Sequence, residues 1–324
     1  MGDPAGIGAE VILKAAAEIA QRRGPMPRLV VIGDLRAMGA AARRLEMPEP
    51  IEWRIGDQLP ARPGPLAVLN LGRLRAAAYR PGHPNAEGGD AAYRYIVEGA
   101  RMAMSGEAAA LVTAPISKEW MNRAGHNFPG HSELLAKISR TKLWRMMFVG
   151  EQLRLALVTV HIGLAKVPRA LSVEKVQQTI TLLAEHLHAL GIARPRLGVL
   201  GLNPHAGENG MFGSEEPRII VPAIKGAQKA GIAAFGPLAP DTAFCRSDGA
   251  FRFDAAVAMY HDQGLIALKT LEFDRAVNVT LGLPFVRTSP DHGTAFDIAG
   301  KNRASAISMI AAIDYAWRAT AGYN

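Results

Sequence analysis

Short apolar runs alternate along the chain with longer stretches in which apolar residues recur every three or four positions. The runs at 29–32, 66–69, 109–112, 146–149, 155–160, 197–202, 255–259 and 276–279 read as strands. Helical periodicity runs through 9–21, 91–104, 172–190, 218–230 and 304–318. Ser172 is placed to cap its helix, with Glu174 in the first turn. Strands written as continuous apolar runs are covered on both faces, so the pattern predicts an α/β protein with a mostly parallel sheet. No repeat, low-complexity tract or flexible linker breaks the alternation, so two domains, if present, are tightly joined. The stretch 80–90, with Pro81, Gly82, Pro84, Gly88 and Gly89, reads as a plain connecting loop.

Three of the strand-like runs end in histidine. The run at 155–160 is followed by His161, the run at 197–202 by Asn203, Pro204 and His205, and the run through Tyr260 by His261. In open parallel sheets ligands bind beyond the carboxyl ends of the strands, so three distant histidines point to one site. Three imidazoles plus an open position describe a catalytic metal centre. The alternative is that each histidine only bonds backbone in its own loop. Asp262 is placed either to orient a histidine ligand or to cap the helix that follows. His186 and His188 fall within a helical pattern and read as surface or packing residues.

Lys269, Asn278 and Arg287 follow the third histidine at the ends of short elements, and the two cations suit phosphate or carboxylate. Pro129-Gly130-His131-Ser132-Glu133 reads as the entry to a helix, where backbone N–H groups and the Ser132 hydroxyl can hold an anion or form an ordinary cap. Gly2-Asp3-Pro4-Ala5-Gly6-Ile7-Gly8 is glycine-rich, but it fits neither G-x-G-x-x-G nor a P-loop. Any nucleotide site therefore uses another device.

Composition narrows the classes. The 324 residues suffice for two α/β domains, and 49% of them are hydrophobic. Cys245 is the only cysteine, which excludes an internal disulfide and fits a reducing compartment. No apolar run approaches the ~20 residues of a membrane helix, and no signal-peptide pattern opens the chain. The expectation is a cytoplasmic protein. The net charge is +8, but the basic residues are scattered and only 6% of residues are aromatic. That argues for a field drawing in small anions and against a nucleic-acid partner.

The segments 1–8, 129–133, 201–208, 259–269 and 277–300 together resemble the 4-hydroxythreonine-4-phosphate dehydrogenase family of vitamin B6 biosynthesis, over essentially the whole chain. The resemblance implies an isocitrate/isopropylmalate dehydrogenase-like α/β fold with two α/β/α domains around a central cleft. The first domain is expected at 1–112 plus 286–324, and the second, carrying metal site and dimer interface, at 113–285. It implies a homodimer whose active sites use both subunits. His161, His205 and His261 fall on the family's metal positions, with zinc foremost and magnesium, manganese or cobalt also admissible. His131, Ser132, Lys269, Asn278 and Arg287 fall on its substrate positions. The implied reaction oxidises a hydroxyl of a small phosphorylated acid with NAD, after which the β-keto acid loses carbon dioxide.

His292-Gly293-Thr294-Ala295-Phe296-Asp297-Ile298-Ala299-Gly300-Lys301 is similar to the nucleotide loop of isopropylmalate dehydrogenases. That implies cofactor contacts from His292, Gly293, Thr294 and Asp297. A carboxylate at Asp297 would accept hydrogen bonds from a ribose and repel a 2′-phosphate, which favours NAD over NADP. Phe296 replaces the proline of that motif. Family members carry a strand before the Met-Gly-Asp-Pro motif, which here starts at Met1, so either the start is truncated or the sheet lacks a strand. Thr113–Lys118 and Glu208–Gly213 look like the family's second branch, which acts on four-carbon sugar acid phosphates such as D-threonate and D-erythronate 4-phosphate; a related group oxidises dihydrodiols. Asp241, Asp262 and Lys269 are the candidates for the base. A metal-dependent hydrolase would use the same histidines without the Asp297 loop, and a basic nucleic-acid-binding protein would leave the histidines unexplained.

Overall fold

The computed structural model describes residues 1–60, 64–72 and 74–320. Its strands are β1 (Val30–Gly33), β2 (Ile51–Trp53), β3 (Ala67–Asn70), β4 (Ala110–Val112), β5 (Arg145–Val149), β6 (Arg154–Leu157), β7 (Leu197–Leu200), β8 (Ala234–Leu238), β9 (Ala255–Ala258), β10 (Val277–Leu281) and β11 (Val286–Pro290). Its α-helices are α1 (Gly8–Ala20), α2 (Leu35–Arg44), α3 (Ala86–Met104), α4 (Lys118–Arg123), α5 (His131–Ile138), α6 (Val167–Ala170), α7 (Val173–Ala189), α8 (Val221–Lys229), α9 (Pro240–Ala243), α10 (His261–Glu272) and α11 (Ile307–Thr320). No described helix is long and apolar enough to cross a membrane.

The chain divides into two compact units. Met1–Lys142 with Leu283–Thr320 form the first, and Leu143–Gly282 the second. The division after Lys142, in place of the expected one after Val112, gives residues 113–142 to the first unit. Residues 321–324, the end of the expected first domain, lie outside the described residues.

In the first unit β1, β3 and β2 form a parallel sheet, and β11 pairs in parallel with β4. The apolar face of α1 buries Val11, Leu13, Ala15 and Ile19, the last against Met309 and Ile313 of α11. Asp34 caps α2 by accepting from Ala37 N at 2.9 Å, and its second oxygen accepts from Leu74 N at 2.8 Å. The stretch 80–90 is only half a loop, because Asn85 caps α3 by accepting from Gly88 N. Gly89, which looked like a turn residue, is a packing residue: a Cβ there would lie 2.3 Å from Trp120 O of α4. Gly2 has φ +77°, and a Cβ on it would lie 2.4 Å from Pro115 O, so only glycine fits the start of the chain here.

In the second unit the strand order is β10-β5-β6-β9-β7-β8. β5 runs antiparallel to both neighbours, while β6, β9, β7 and β8 are parallel. Every residue of β7 and β9 is buried, which is why they read as unbroken apolar runs. Leu155, Leu157, Leu200, Phe253, Leu265 and Leu268 share this core.

Three strands and the longer helices α2 and α10 escape the apolar pattern for identifiable reasons, as do the short helices α4, α6 and α9. β8 contains Gly236 and Pro237, which interrupt any apolar run, and they are tolerated because β8 is the edge strand. β11 is Val-Arg-Thr-Ser-Pro, a polar run that is nevertheless buried throughout. β2 is exposed and only three residues long. α2 is dominated by alanine and arginine, and α10 opens on His-Asp-Gln-Gly, so neither shows a wide apolar stripe. β6 and β7 end before the apolar runs do, at Leu157 and Leu200, although rungs from Val158 N to Ala258 O and Thr159 N to Met259 O prolong the first.

Ser172 caps α7 as its sequence suggests, accepting from Lys175 N at 3.2 Å. His188 is exposed, whereas His186 is buried in α7, and burial pushes its pKa down to about 4. An unfolded chain takes up a proton on this ring as the pH falls through its ordinary value of 6.5; the folded protein refuses it down to about 4. Stability is therefore lost as the pH falls across that window, by about 2 kcal/mol at pH 5. Replacing His186→Leu should remove about that much of the difference in urea stability between pH 7 and pH 5. Parallel losses in the two proteins would exclude the imidazole as the source.

Candidate functional site

β6, β9 and β7 are consecutive, parallel neighbours, so their carboxyl ends open onto the same edge of the second unit. His161, His261 and His205 follow these ends. The rings of His161 and His261 lie 5.9 Å apart between centroids. Two imidazoles sharing one metal at about 2.0–2.1 Å from each nitrogen have ring centres roughly 5–6 Å apart, so this pair fits a divalent cation. His261 opens α10, and its Nδ1 lies 2.6 Å from Asp262 Oδ1. In the Nδ1–H tautomer the carboxylate accepts this hydrogen bond and leaves Nε2 for a ligand, the arrangement by which Asp262 would orient the histidine.

His205 is carried differently. It lies in a turn in which His205, Ala206, Gly207, Glu208 and Asn209 all have left-handed backbone, with φ of 51°, 53°, 85°, 42° and 55°. Each non-glycine residue in that region costs about 1–2 kcal/mol, so the turn persists only where its surroundings hold it. Glu216 does so. Its buried carboxylate accepts from Leu202 N at 2.8 Å, Asn203 N at 2.7 Å and Asn203 Nδ2 at 2.9 Å. Burial alone would raise its pKa, but the hydrogen bonds from Asn203 and Leu202 outweigh it and hold the carboxyl below its ordinary value. The His205 ring packs beside Phe212, 6.1 Å between centroids. Among the described residues no group of three or more His, Cys, Asp or Glu side chains is arranged to hold a metal. The structure thus joins His161 with His261 and leaves His205 outside that pair.

The other candidates of the second unit are spread along it. Asp241 is exposed in the short helix α9. Lys269 is half-buried two turns along α10 from His261, with its ammonium 5.4 Å over the Phe273 ring. Asn278 lies in β10 opposite Phe148.

In the first unit, β11 and the start of α5 supply a buried guanidinium and a buried imidazole nitrogen. Arg287 is buried at 2% exposure and donates from Nη2 to Thr113 Oγ1 at 2.7 Å. Burial pulls its pKa down to about 9, partly offset by Glu133, and it stays charged at neutral pH. The His131 ring has a buried Nε2. Burial first, and then Arg287, the Met1 amine and Lys118, hold His131 well below its ordinary pKa, so it is a neutral imidazole. Ser132 is buried in the first turn of α5. A charged guanidinium and a ring that refuses a proton, at a helix N-terminus, make surroundings that favour an anion. Thr113 and Lys118 escaped the sequence reading as site residues. Their signal was there in Thr-Ala-Pro-Ile-Ser-Lys directly after β4, where loops of α/β proteins carry chemistry.

The segment 292–301 also belongs to the first unit. The glycine-rich segment at the chain start backs it, with Ile7 N donating to Thr294 O at 3.0 Å. Ala295 has φ 43°, and turns close from Ile298 N to Ala295 O and from Lys301 N to Ile298 O, both 3.1 Å. Phe296 is accommodated in this turn in place of the motif's proline. His292 Nδ1 lies 3.1 Å from Gly293 O, and Asp297 is exposed.

Residues 25–316 match the family described as Pyridoxal phosphate biosynthetic protein PdxA. A 4-hydroxythreonine-4-phosphate dehydrogenase of Geobacter metallireducens is 49% identical over 320 residues, covering 97% of this chain and 92% of the relative. A D-threonate 4-phosphate dehydrogenase of Salmonella typhimurium is 42% identical, covering 98% and 96%. The crystal structure of 4-hydroxythreonine-4-phosphate dehydrogenase from Klebsiella pneumoniae superposes with a TM-score of 0.87 at 39% identity, covering 99% of this chain and 98% of that one. With strand-end histidines on a parallel sheet, a buried arginine beside a helix entry and a match over most of its length, the chain belongs to the PdxA family and has its isocitrate dehydrogenase-like fold.

Proposed function

We propose that this protein is an NAD-dependent, divalent-metal-dependent dehydrogenase that oxidises and decarboxylates a small phosphorylated hydroxy acid of the 4-phosphohydroxy-L-threonine type. The observation that carries the reading is the His161–His261 pair at the strand ends of a chain 49% identical to a 4-hydroxythreonine-4-phosphate dehydrogenase. D-threonate or D-erythronate 4-phosphate is the second reading, supported by the 42% identical relative and by the Thr113–Lys118 motif. Both substrates carry a terminal phosphate and a carboxylate, which suits the surroundings of Arg287 and His131. A metal-dependent hydrolase would leave the turn at 292–301 without a use.

His161 and His261, with His205 as the family's third position, would hold the metal, zinc foremost. When bound, the metal supplies a Lewis acid at the substrate oxygen and NAD supplies the hydride acceptor. The chain's own residues then do the rest. Arg287, His131 and Ser132 hold the substrate's anionic end, Arg287 by a charge-assisted contact. Lys269 and Asn278 fall on the family's substrate positions. Asp262 is engaged with His261, and Asp241 is exposed in a short helix, so of the three candidate bases Lys269 is the one we favour. Asp297, with His292, Gly293 and Thr294, receives the nucleotide.

We read the protein as a cytoplasmic homodimer whose active sites draw on both subunits. Leu164 and Met211 are 67% and 74% exposed on the loops that follow β6 and β7, and Ile266 of α10 is 68% exposed. So much apolar surface around one set of strand ends suits a subunit interface.

The deciding experiment follows NAD reduction at 340 nm with 4-phosphohydroxythreonine, D-threonate 4-phosphate and D-erythronate 4-phosphate. A chelator should abolish turnover, and zinc, manganese or cobalt should restore it. Undiminished turnover in a metal-free sample would overturn the reading.

Arg287→Met keeps the apolar stem and removes the guanidinium. A lost charge-assisted contact costs about 1.5–3 kcal/mol, so KM for the phosphorylated substrate should rise at least roughly tenfold. An unchanged KM in a folded variant would place Arg287 outside the binding site.

Asp297→Ala tests the cofactor assignment. The carboxylate that accepts from a ribose repels a 2′-phosphate, so its removal should weaken NAD use modestly and raise relative NADP use. If the ratio of kcat/KM for the two cofactors does not move, the nucleotide is held elsewhere.

A further inference from the structure

A single hydrogen-bonded chain links the three strand ends that precede the histidines. Met259 is its hub. The Met259 carbonyl at the end of β9 accepts from Thr159 N at 3.2 Å and from Thr159 Oγ1 at 2.7 Å, two residues before His161. Met259 N donates to Gln263 Oε1 at 2.6 Å. Gln263 Nε2 donates to Gly201 O at 2.6 Å, at the end of β7 and four residues before His205. Because one partner is a donor and the other an acceptor, they fix which way the Gln263 amide faces. Met259 is fully buried, so the bond from Thr159 Oγ1 to its carbonyl is shielded from water.

We propose that Gln263 is a positioning residue that sets the His205 strand end in register with the His161–His261 pair. Both of its bonds are needed for that. A carboxylate would keep the acceptor for Met259 N but face the Gly201 carbonyl with a second acceptor; an apolar side chain of similar length would lose both ties. Glu216 completes the arrangement from the other side by holding Leu202 and Asn203. Glu272, at the far end of α10, is the natural contrast. It accepts from Gln152 N at 2.8 Å and Leu153 N at 3.2 Å, and so anchors the helix to the β5–β6 turn away from the histidines.

The inference rests on the metal reading above, and its test separates the two. Cobalt(II) is titrated into the intact protein and followed by its visible absorbance, with urea denaturation alongside. Residues that orient metal ligands typically cost about 10–100-fold in affinity when removed, so Gln263→Met should weaken cobalt binding by about that factor. Gln263→Glu should weaken it similarly. Glu272→Gln should lower the urea midpoint and leave cobalt affinity as in wild type. Should Gln263→Met fail to fold, Thr159→Val removes one hydroxyl bond from the same chain and should still weaken cobalt. Wild-type affinity in folded Gln263→Met, or an equal loss in Glu272→Gln, overturns the proposal. Failure of the wild-type protein to bind cobalt through histidine overturns the metal reading and this inference with it.

Discussion

The parallel register of β6, β9 and β7 is the constraint on which the second unit depends. Leu155 pairs with Ala256, and Ala256 with Gly198, so three segments separated by 40 or more residues in sequence end at the same level. Parallel pairing makes their carboxyl ends open onto one edge. Burial of β7 and β9 on both faces makes the register hard to slip, because a shift of one residue would turn a fully packed row out of its sockets. Everything polar at that edge, from the Met259 hub to the left-handed turn at His205, hangs from this pairing. The turn is costly in backbone conformation and is sustained by the bonds to Glu216, a division of labour common where a functional loop is held by a rigid scaffold.

The first unit works by a different balance. Arg287 lies in a buried, polar strand, and its guanidinium is only partly compensated by Glu133. His131 remains neutral in the same surroundings. A fold that keeps a cation dry and refuses a second proton beside it holds a standing preference for an anion, independent of the overall +8 charge. The glycine-rich chain start has a supporting role here. It braces the turn at 294–298 through the bond from Ile7 N to Thr294 O.

The strands that could be read from the sequence are those whose burial is two-sided, because there the chemistry of each residue reports its position directly. β11 defeats that logic: Arg287 and Thr288 are buried with hydrogen bonds to Thr113 Oγ1 and Ala312 O, and their polarity hides the strand. β8 hides behind Gly236 and Pro237, whose turn character is harmless only at an edge. Gly89 shows the reverse error, since its small size serves the approach of α3 to Trp120 and no turn at all. Among the site residues, the strand-end histidines were legible because periodicity stops where they begin. Thr113 and Glu216 were not, because each acts through a partner more than ten residues away in sequence.

By itself the sequence determined the class of fold, the family and the residue types that could do the chemistry, since apolar runs, helical periodicity and motif spacing are local properties of the chain. Tertiary structure decided which of those residues meet. It joined His161 to His261 and left His205 on its own turn. It gave Asp262 to His261, and it buried Arg287 beside a neutral His131. Such outcomes depend on strand order, on burial and on bonds between segments far apart in the chain, and these are set only when the sheets pack.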